Sequence, residues 1–257
     1  TPPTPLLLPN QACFNLERPG LYDILIYSMP ARNSIKEYKS DSYYHIYNRG
    51  VEKRLIFVDS QDYAVFMSYL KDYLQPKDEA FLQNTLGDPL STPIQKADAL
   101  KLLRLNNFNG IISLNAYCLM PNHFHLLLKQ SIQTGIDKLM NSLMTRYTMY
   151  FNRKYKRVGH LFQGKYKAVL VQTDNQLLHL SRYIHLNPTT KGQAFQSYPH
   201  SSYSYFISEK QPDWIHSADI LLYFSKLGFN SYASFVGDNY TYDTYEYIAG
   251  LTLTESD

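Results

Sequence analysis

The stretch Pro121-Asn122-His123-Phe124-His125-Leu126-Leu127-Leu128 constrains this chain more than any other. Residues 111–120 before it are apolar enough for a strand, and Pro121-Asn122 supplies a turn. Residues 123–129 then return as the second strand of a tight antiparallel pair. Strand side chains alternate between faces. His123 and His125 therefore share one face, and Phe124 and Leu126 fill the other. Two imidazoles on one rigid face make half of a divalent-metal site. An isolated His-x-His is also compatible with one core histidine and one surface histidine, so its surroundings decide.

Those surroundings predict an α+β domain. Tyr43 to Gly50 has the aromatic and branched residues of a strand followed by a turn. Asp59 caps a helix that runs to about Leu74, ahead of Pro76. Residues 76–108, with Pro76, Gly87, Pro89 and Pro93, look like an insertion of weak order with a short helix over 95–103. The longest helical pattern covers 136–155. Residues 166–172 alternate as a strand, and Thr173 or Asp174 caps a helix that ends before Pro188. The order strand, helix, strand, strand, helix, strand is a ferredoxin-like β-α-β-β-α-β plan with an antiparallel sheet. Its helices are expected on one sheet face, with the other face open to a substrate. The predicted organisation is an N-terminal extension over 1–40, a core domain over 41–195 and a C-terminal extension over 196–257. Within the first extension 21–27 is a short strand, and within the last 218–226 is a short helix.

Net charge is only +3, but it is unevenly spread. From Lys138 to Thr173 there are eight basic residues and no acidic one, whereas 209–257 holds eight acidic and two basic residues. Tyr147, Tyr150, Phe151, Tyr155, Phe162 and Tyr166 lie among the basic residues. Diffuse positive charge with stacking rings suits single-stranded nucleic acid. It equally describes a solvated basic helix end whose aromatics are core. The candidate phosphate contacts are Arg146, Arg153, Lys154, Lys156, Arg157, Lys165 and Lys167, with Arg49 at the end of the first strand.

The helix before Pro188 adds chemistry. Tyr183 and Asn187 are four residues apart and share a face. A tyrosine becomes a covalent nucleophile where a metal or base eases its deprotonation. Asn187 offers a carbonyl oxygen to a hard cation held by the two histidines. Two imidazoles and an amide oxygen suit Mg²⁺ or Mn²⁺ better than zinc, which prefers another strong ligand. On residue chemistry alone, Tyr147 and Tyr150 remain rival nucleophiles.

Several stretches together resemble the IS200/IS605-like, single-tyrosine HUH transposases, and most closely the branch associated with repetitive extragenic palindromes. They are Tyr44-His45-Ile46-Tyr47-Asn48-Arg49-Gly50, residues 116–127 around the histidine pair, 147–155, Gly159-His160-Leu161-Phe162-Gln163-Gly164-Lys165-Tyr166-Lys167, Tyr183-Ile184-His185-Leu186-Asn187-Pro188 and 198–203. The resemblance spans about residues 42–206. It implies an HUH core on the ferredoxin-like plan, with His123, His125 and Asn187 holding Mg²⁺ or Mn²⁺. Relatives usually place glutamine where this chain has the shorter Asn187. Tyr183 takes the nucleophile's role, on a trailing catalytic helix. The implied reaction is cleavage and strand transfer of single-stranded DNA through a 5′-phosphotyrosine, on substrates with hairpin or palindromic elements. Relatives include monomers and dimers, and this sequence leaves that choice open. A DNA substrate implies a cytoplasmic, nucleoid-associated protein. The other readings of the same fold are a nonenzymatic nucleic-acid-binding protein and an HUH replication initiator or relaxase.

Composition excludes other classes. Cys13 and Cys118 make no disulfide framework, and Cys118 sits in an apolar run that predicts a buried thiol. No apolar run approaches the length of a membrane span.

Overall fold

The computed structural model describes residues 38–208, 211–226, 231–237 and 248. The strand expected at 21–27, Cys13 and most of the N-terminal extension lie outside the described residues.

Four strands form one fully antiparallel sheet: β1 (Ser42–Arg49), β2 (Ile112–Met120), β3 (His123–Gln130) and β4 (Lys167–Val171), in the order β2-β3-β1-β4. The hairpin of β2 and β3 turns at Pro121-Asn122, as the sequence predicts. Gly50 follows β1, where a Cβ would collide with the Arg54 carbonyl. Its backbone is extended (φ −61°), so close approach rather than turn conformation requires glycine. The Gly50 N–H donates to the Asn122 carbonyl at 2.8 Å, tying the end of β1 to the hairpin turn.

Helix α1 (Ser60–Leu74) begins in a capping box, in which Asp59 accepts from the Asp62 N–H. Helix α4 (Gly135–Lys154) follows β3. Both pack on one sheet face. There Tyr44, Ile46, Tyr117, Leu119, Phe124, Leu126 and Leu128 meet Phe66, Leu70, Leu139, Leu143 and Tyr147. Residues 76–108 are more ordered than their prolines suggest. They form α2 (Glu79–Gly87) and α3 (Pro93–Arg104), capped by Asp78 and by a Thr92–Gln95 capping box. Pro93 occupies the first turn of α3, where its missing N–H costs nothing. Lys77 donates to the carbonyls of Leu103 and Leu105 at the other end.

The second sheet face differs from the open surface expected. Ala116, Cys118, Met120, Leu127 and Val171 are apolar and need cover. Helix α5 (Asp174–Leu186) supplies it through Leu177, Leu180 and Ile184. It is joined by Phe206 of α6 (Tyr203–Ile207), Phe224 of α7 (Ala218–Lys226), and Tyr232 and Phe235 of α8 (Tyr232–Gly237). Residues before α6 also lengthen the sheet. The Leu119 N–H donates to the His200 carbonyl at 2.9 Å, and the Ser202 N–H donates to the Tyr117 carbonyl at 3.0 Å. Among the described residues no helix is long and apolar enough to cross a membrane.

Candidate active site

The sheet register decides which polar side chains meet. Arg49 pairs with His123, Tyr47 with His125 and His45 with Leu127. Directly paired residues share a face, so Arg49, His123, His45 and His125 all project towards α5. Lys167 pairs with Tyr47 from β4 and lies on the same face.

His125 is fully buried. Its Nδ1 lies 2.9 Å from Nε2 of His45, and the two rings stack with centroids 5.0 Å apart. Its Nε2 is buried and has no hydrogen-bond partner among the described residues. Burial holds the His125 imidazole neutral well below its ordinary range, and the neighbouring His123, His45 and Arg49 push the same way.

His123 shows a second mismatch. Nδ1 lies 2.7 Å from the Asn122 side-chain oxygen, and Nε2 lies 3.0 Å from the Asn187 side-chain oxygen. Burial pulls its pKa down to about 4; the Asn187 contact opposes this, and Arg49 and Lys191 reinforce it. A neutral imidazole carries one N–H and cannot donate to both oxygens. With the proton on Nδ1, the Nε2 lone pair faces the oxygen of Asn187.

Helix α5 brings the remaining groups. Thr173 caps it by accepting from the Gln176 N–H, and Asn187 sits at its C-cap, buried. Tyr183 is half-buried one turn earlier. Its ring stands edge-on to His125 at 5.5 Å and to His45 at 6.1 Å. Behind the helix, His185 bonds Tyr232 at 2.7 Å and Ser202 at 2.8 Å, and the Tyr232 hydroxyl donates to Ser181 at 3.0 Å. Burial drives His185 down to about 3, so this network is uncharged. It fixes α5 to β2 and α8, and with it the position of Tyr183.

The structure therefore brings His123, His125, Tyr183, Asn187 and Arg49 together. His45 is the residue that sequence reasoning missed. Its signal was present, because Tyr43, His45 and Tyr47 alternate on one strand face, but only the β1–β3 register sets it against His125.

The basic stretch is divided. Arg146 pairs with Asp72 at 2.8 Å and stacks on Tyr69 at 3.7 Å. Lys154 bonds Asp59 and Asp62 at 2.7 and 2.8 Å. Arg157 bonds the Asn152 side chain at 2.8 Å. Arg153, Lys156 and Lys165 are exposed. The rival tyrosines serve the core or its edge: Tyr147 is fully buried and donates to the Ile56 carbonyl, and Tyr150 donates to Asp62. Arg49 and Arg146 each keep a buried Nε and Nη1 without a hydrogen-bond partner, but Arg146 meets a carboxylate through Nη2, whereas Arg49 has no ion pair among the described residues.

The donor set fits a hard divalent cation. Two ligands on adjacent corners of an octahedron with ~2.1 Å bonds lie ~3 Å apart, which is the separation of His123 Nε2 and the Asn187 oxygen, 3.0 Å. The orphaned Nε2 of His125 is a third donor. Among the described residues no cluster of three His, Cys, Asp or Glu side chains could hold a metal, so such a site here depends on the amide.

Residues 101–187 match the family described as "Transposase IS200 like". The match takes in the histidine pair, α4, β4 and α5 as far as Asn187. No curated protein matches the chain. Among solved structures it is similar to a REP-associated tyrosine transposase bound to a REP hairpin. That likeness has 12% identity and a TM-score of 0.44, over 69% of this chain and 86% of the other. The segment that carries the histidine pair, Tyr183 and Asn187 is thus similar to the IS200-like transposases, over 87 of the 257 residues.

Proposed function

We propose that this chain cleaves and rejoins single-stranded DNA with Tyr183 as nucleophile, on substrates carrying hairpin or palindromic elements. One observation carries the reading: the Tyr183 ring lies against His125, whose Nε2 is buried and unpartnered, beside His123, whose Nε2 lies 3.0 Å from the Asn187 side-chain oxygen. In this reading His123, His125 and Asn187 hold Mg²⁺ or Mn²⁺. The cation would polarise the scissile phosphate and ease loss of the tyrosine proton. The Tyr183 oxygen attacks phosphorus, an O–P bond forms and the P–O3′ bond breaks. The proton lost by the phenol is balanced by the one gained at the departing 3′-oxygen. The resulting 5′-phosphotyrosine keeps the bond energy, and attack by another 3′-OH reverses the step. Arg49, with two buried N–H groups free, would grip the phosphate. Lys165 and Lys167, with the exposed Arg153 and Lys156, would hold the flanking strand. Arg146 and Lys154 are already neutralised, and this reading does not use them.

The fold supports the same reading. Strand order β2-β3-β1-β4 with α1 and α4 on one face accords with a ferredoxin-like β-α-β-β-α-β HUH core, with α2 and α3 inserted and α5 trailing. Tyr232 and Ser202 of the same chain hold α5 in place, which favours action of Tyr183 within its own chain.

The test is incubation of the protein with labelled single-stranded DNA containing palindromes that flank its gene. It is run with Mg²⁺, with Mn²⁺, with EDTA and with Tyr183→Phe. A metal-dependent adduct that survives denaturation and disappears in the variant is expected. Binding without an adduct under any metal would favour a binding-only protein. An adduct that persists in Tyr183→Phe would move the nucleophile elsewhere.

A further inference from the structure

A cavity of ≈ 480 Å³ opens beside the hairpin turn, lined in part by Tyr63, Pro121, Gln193, Ser197, Tyr198 and His200. Its near wall belongs to the two segments that build the candidate site. Pro121 is two residues from His123. The Gln193 N–H donates to the carbonyl of Pro188, which follows Asn187.

Its wall has an unusual construction. Phe57 and Tyr63 stack at 4.5 Å and 17°, and Tyr63 and His200 stack at 3.5 Å and 2°. Three parallel rings thus run from the core, where Phe57 is buried, to His200 at the cavity. Tyr198 is held edge-on to His200 at 5.7 Å, because its hydroxyl donates to the Leu119 carbonyl at 2.7 Å. No Lys, Arg, Asp or Glu lines the cavity, so it offers a phosphate nothing. Gln193 and Ser197 provide neutral donors and acceptors at the rim. A flat aromatic platform with neutral polar edges matches an uncharged planar heterocycle. Base–aromatic stacking of this kind is the standard currency of single-strand binding.

The geometry points to this cavity as the seat for one unpaired nucleobase of a nucleotide flanking the cleaved bond, stacked on the Tyr63–His200 column. The inference rests on the DNA-cleaving reading and adds to it a site for base recognition, apart from the phosphate contacts.

The experiment uses the full chain and the palindrome-containing oligonucleotide, with single thymines replaced in turn by 5-iodouracil. Photo-crosslinks are mapped by mass spectrometry. One position is expected to crosslink to His200 or Tyr198. An abasic site at that position should weaken binding about tenfold in the unmodified protein, but not in His200→Ala, which has already lost the platform. His200→Phe keeps the stack and should keep the affinity. Crosslinks confined to other residues, or additive losses from the abasic site and His200→Ala, overturn the inference while the Tyr183 adduct leaves the cleavage reading standing. Absence of both binding and adduct overturns both. Thermal melting of His200→Ala checks that the variant is folded.

Discussion

The two faces of the sheet treat their polar groups differently. On the face covered by α1 and α4, Arg146 has Asp72, and Lys154 has Asp59 and Asp62. Asp62 is fully buried, yet it accepts from Val58, Tyr150, Tyr155 and Lys154. On the face covered by α5, Arg49 has a buried Nε and Nη1 without partners, as Arg146 does, but has no carboxylate among the described residues, and His125 has one buried nitrogen without a partner. An unpaired buried polar group costs stability that folding alone does not return. The first face spends its charges on itself. The second leaves them for something that arrives from outside. Density of basic residues along the sequence therefore does not locate a binding surface; lack of an internal counter-charge does so better.

The sharpest way to break this contrast is Arg49→Ala. If its guanidinium grips the reacting phosphate, cleavage should fall about 100-fold, with Arg49→Lys recovering part of the loss. The rate of adduct formation under single turnover measures this. Because the unpartnered charge is a burden on the free protein, Arg49→Ala should leave the melting temperature unchanged or raise it. A fall in both rate and stability would make Arg49 a structural residue.

The opposite pattern is expected at Asp62. Asp62→Asn leaves Lys154 with Asp59 as its one carboxylate and two tyrosine hydroxyls without a charged acceptor, and should cost about 2 kcal/mol in urea unfolding. Burial alone would raise the Asp62 pKa, but its bonds to Lys154, the Val58 N–H, Tyr155 and Tyr150 outweigh burial and hold it below the ordinary carboxylate value. The sign follows from linkage. The stabilisation is complete above an unfolded-state pKa near ~4 and is lost as pH falls through the depressed folded value. Asp62→Asn should therefore flatten the acid limb of the stability curve.

His45 tests the second face at smaller scale. A neutral His45 Nε2 that accepts from His125 Nδ1–H leaves the Nε2 lone pair of His125 outward. His45→Ala should weaken Mn²⁺ binding about tenfold, as followed by electron paramagnetic resonance. His45→Gln, which can restore an acceptor, should recover part of it. Equal affinity in all three proteins would reduce His45 to packing.

Much of this was legible in the sequence because local rules govern it. The Pro121-Asn122 turn, the Asp59 and Thr173 caps and the period-two histidines each need only a few neighbouring residues. What was not legible depends on long-range pairing. His45 meets His125 only through the β1–β3 register. The cover over the second face comes from α6 to α8; the helix over 218–226 is legible in the sequence, but not the sheet face on which it packs. The order of 76–108 rests on the Thr92–Gln95 capping box and on Lys77 reaching Leu103 and Leu105. Prolines in that segment mark where helices begin, not the lack of them. Arg146 and Lys154 looked like DNA ligands because their acidic partners lie on a helix more than seventy residues earlier.

That last point yields the smallest effect and the cleanest pairing of variants. Lys165 is exposed on the loop where the Gln163 N–H donates to the Arg49 carbonyl at 2.8 Å, so the loop runs beside the candidate site. Each phosphate contact on single-stranded DNA contributes ~0.7 to the slope of log affinity against log salt. Lys165→Ala should lower that slope by about 0.7 and weaken binding a few-fold at low salt. Lys154→Ala should leave the slope unchanged, because a lysine held by two carboxylates has no charge to offer a phosphate. Binding is measured by fluorescence anisotropy across a salt series, at a temperature where both variants are folded. If Lys154→Ala lowers the slope instead, DNA displaces Asp59 and Asp62 on binding. The α4 end would then be a DNA surface, and the distinction between the two faces would have to be drawn at the substrate complex rather than in the free protein.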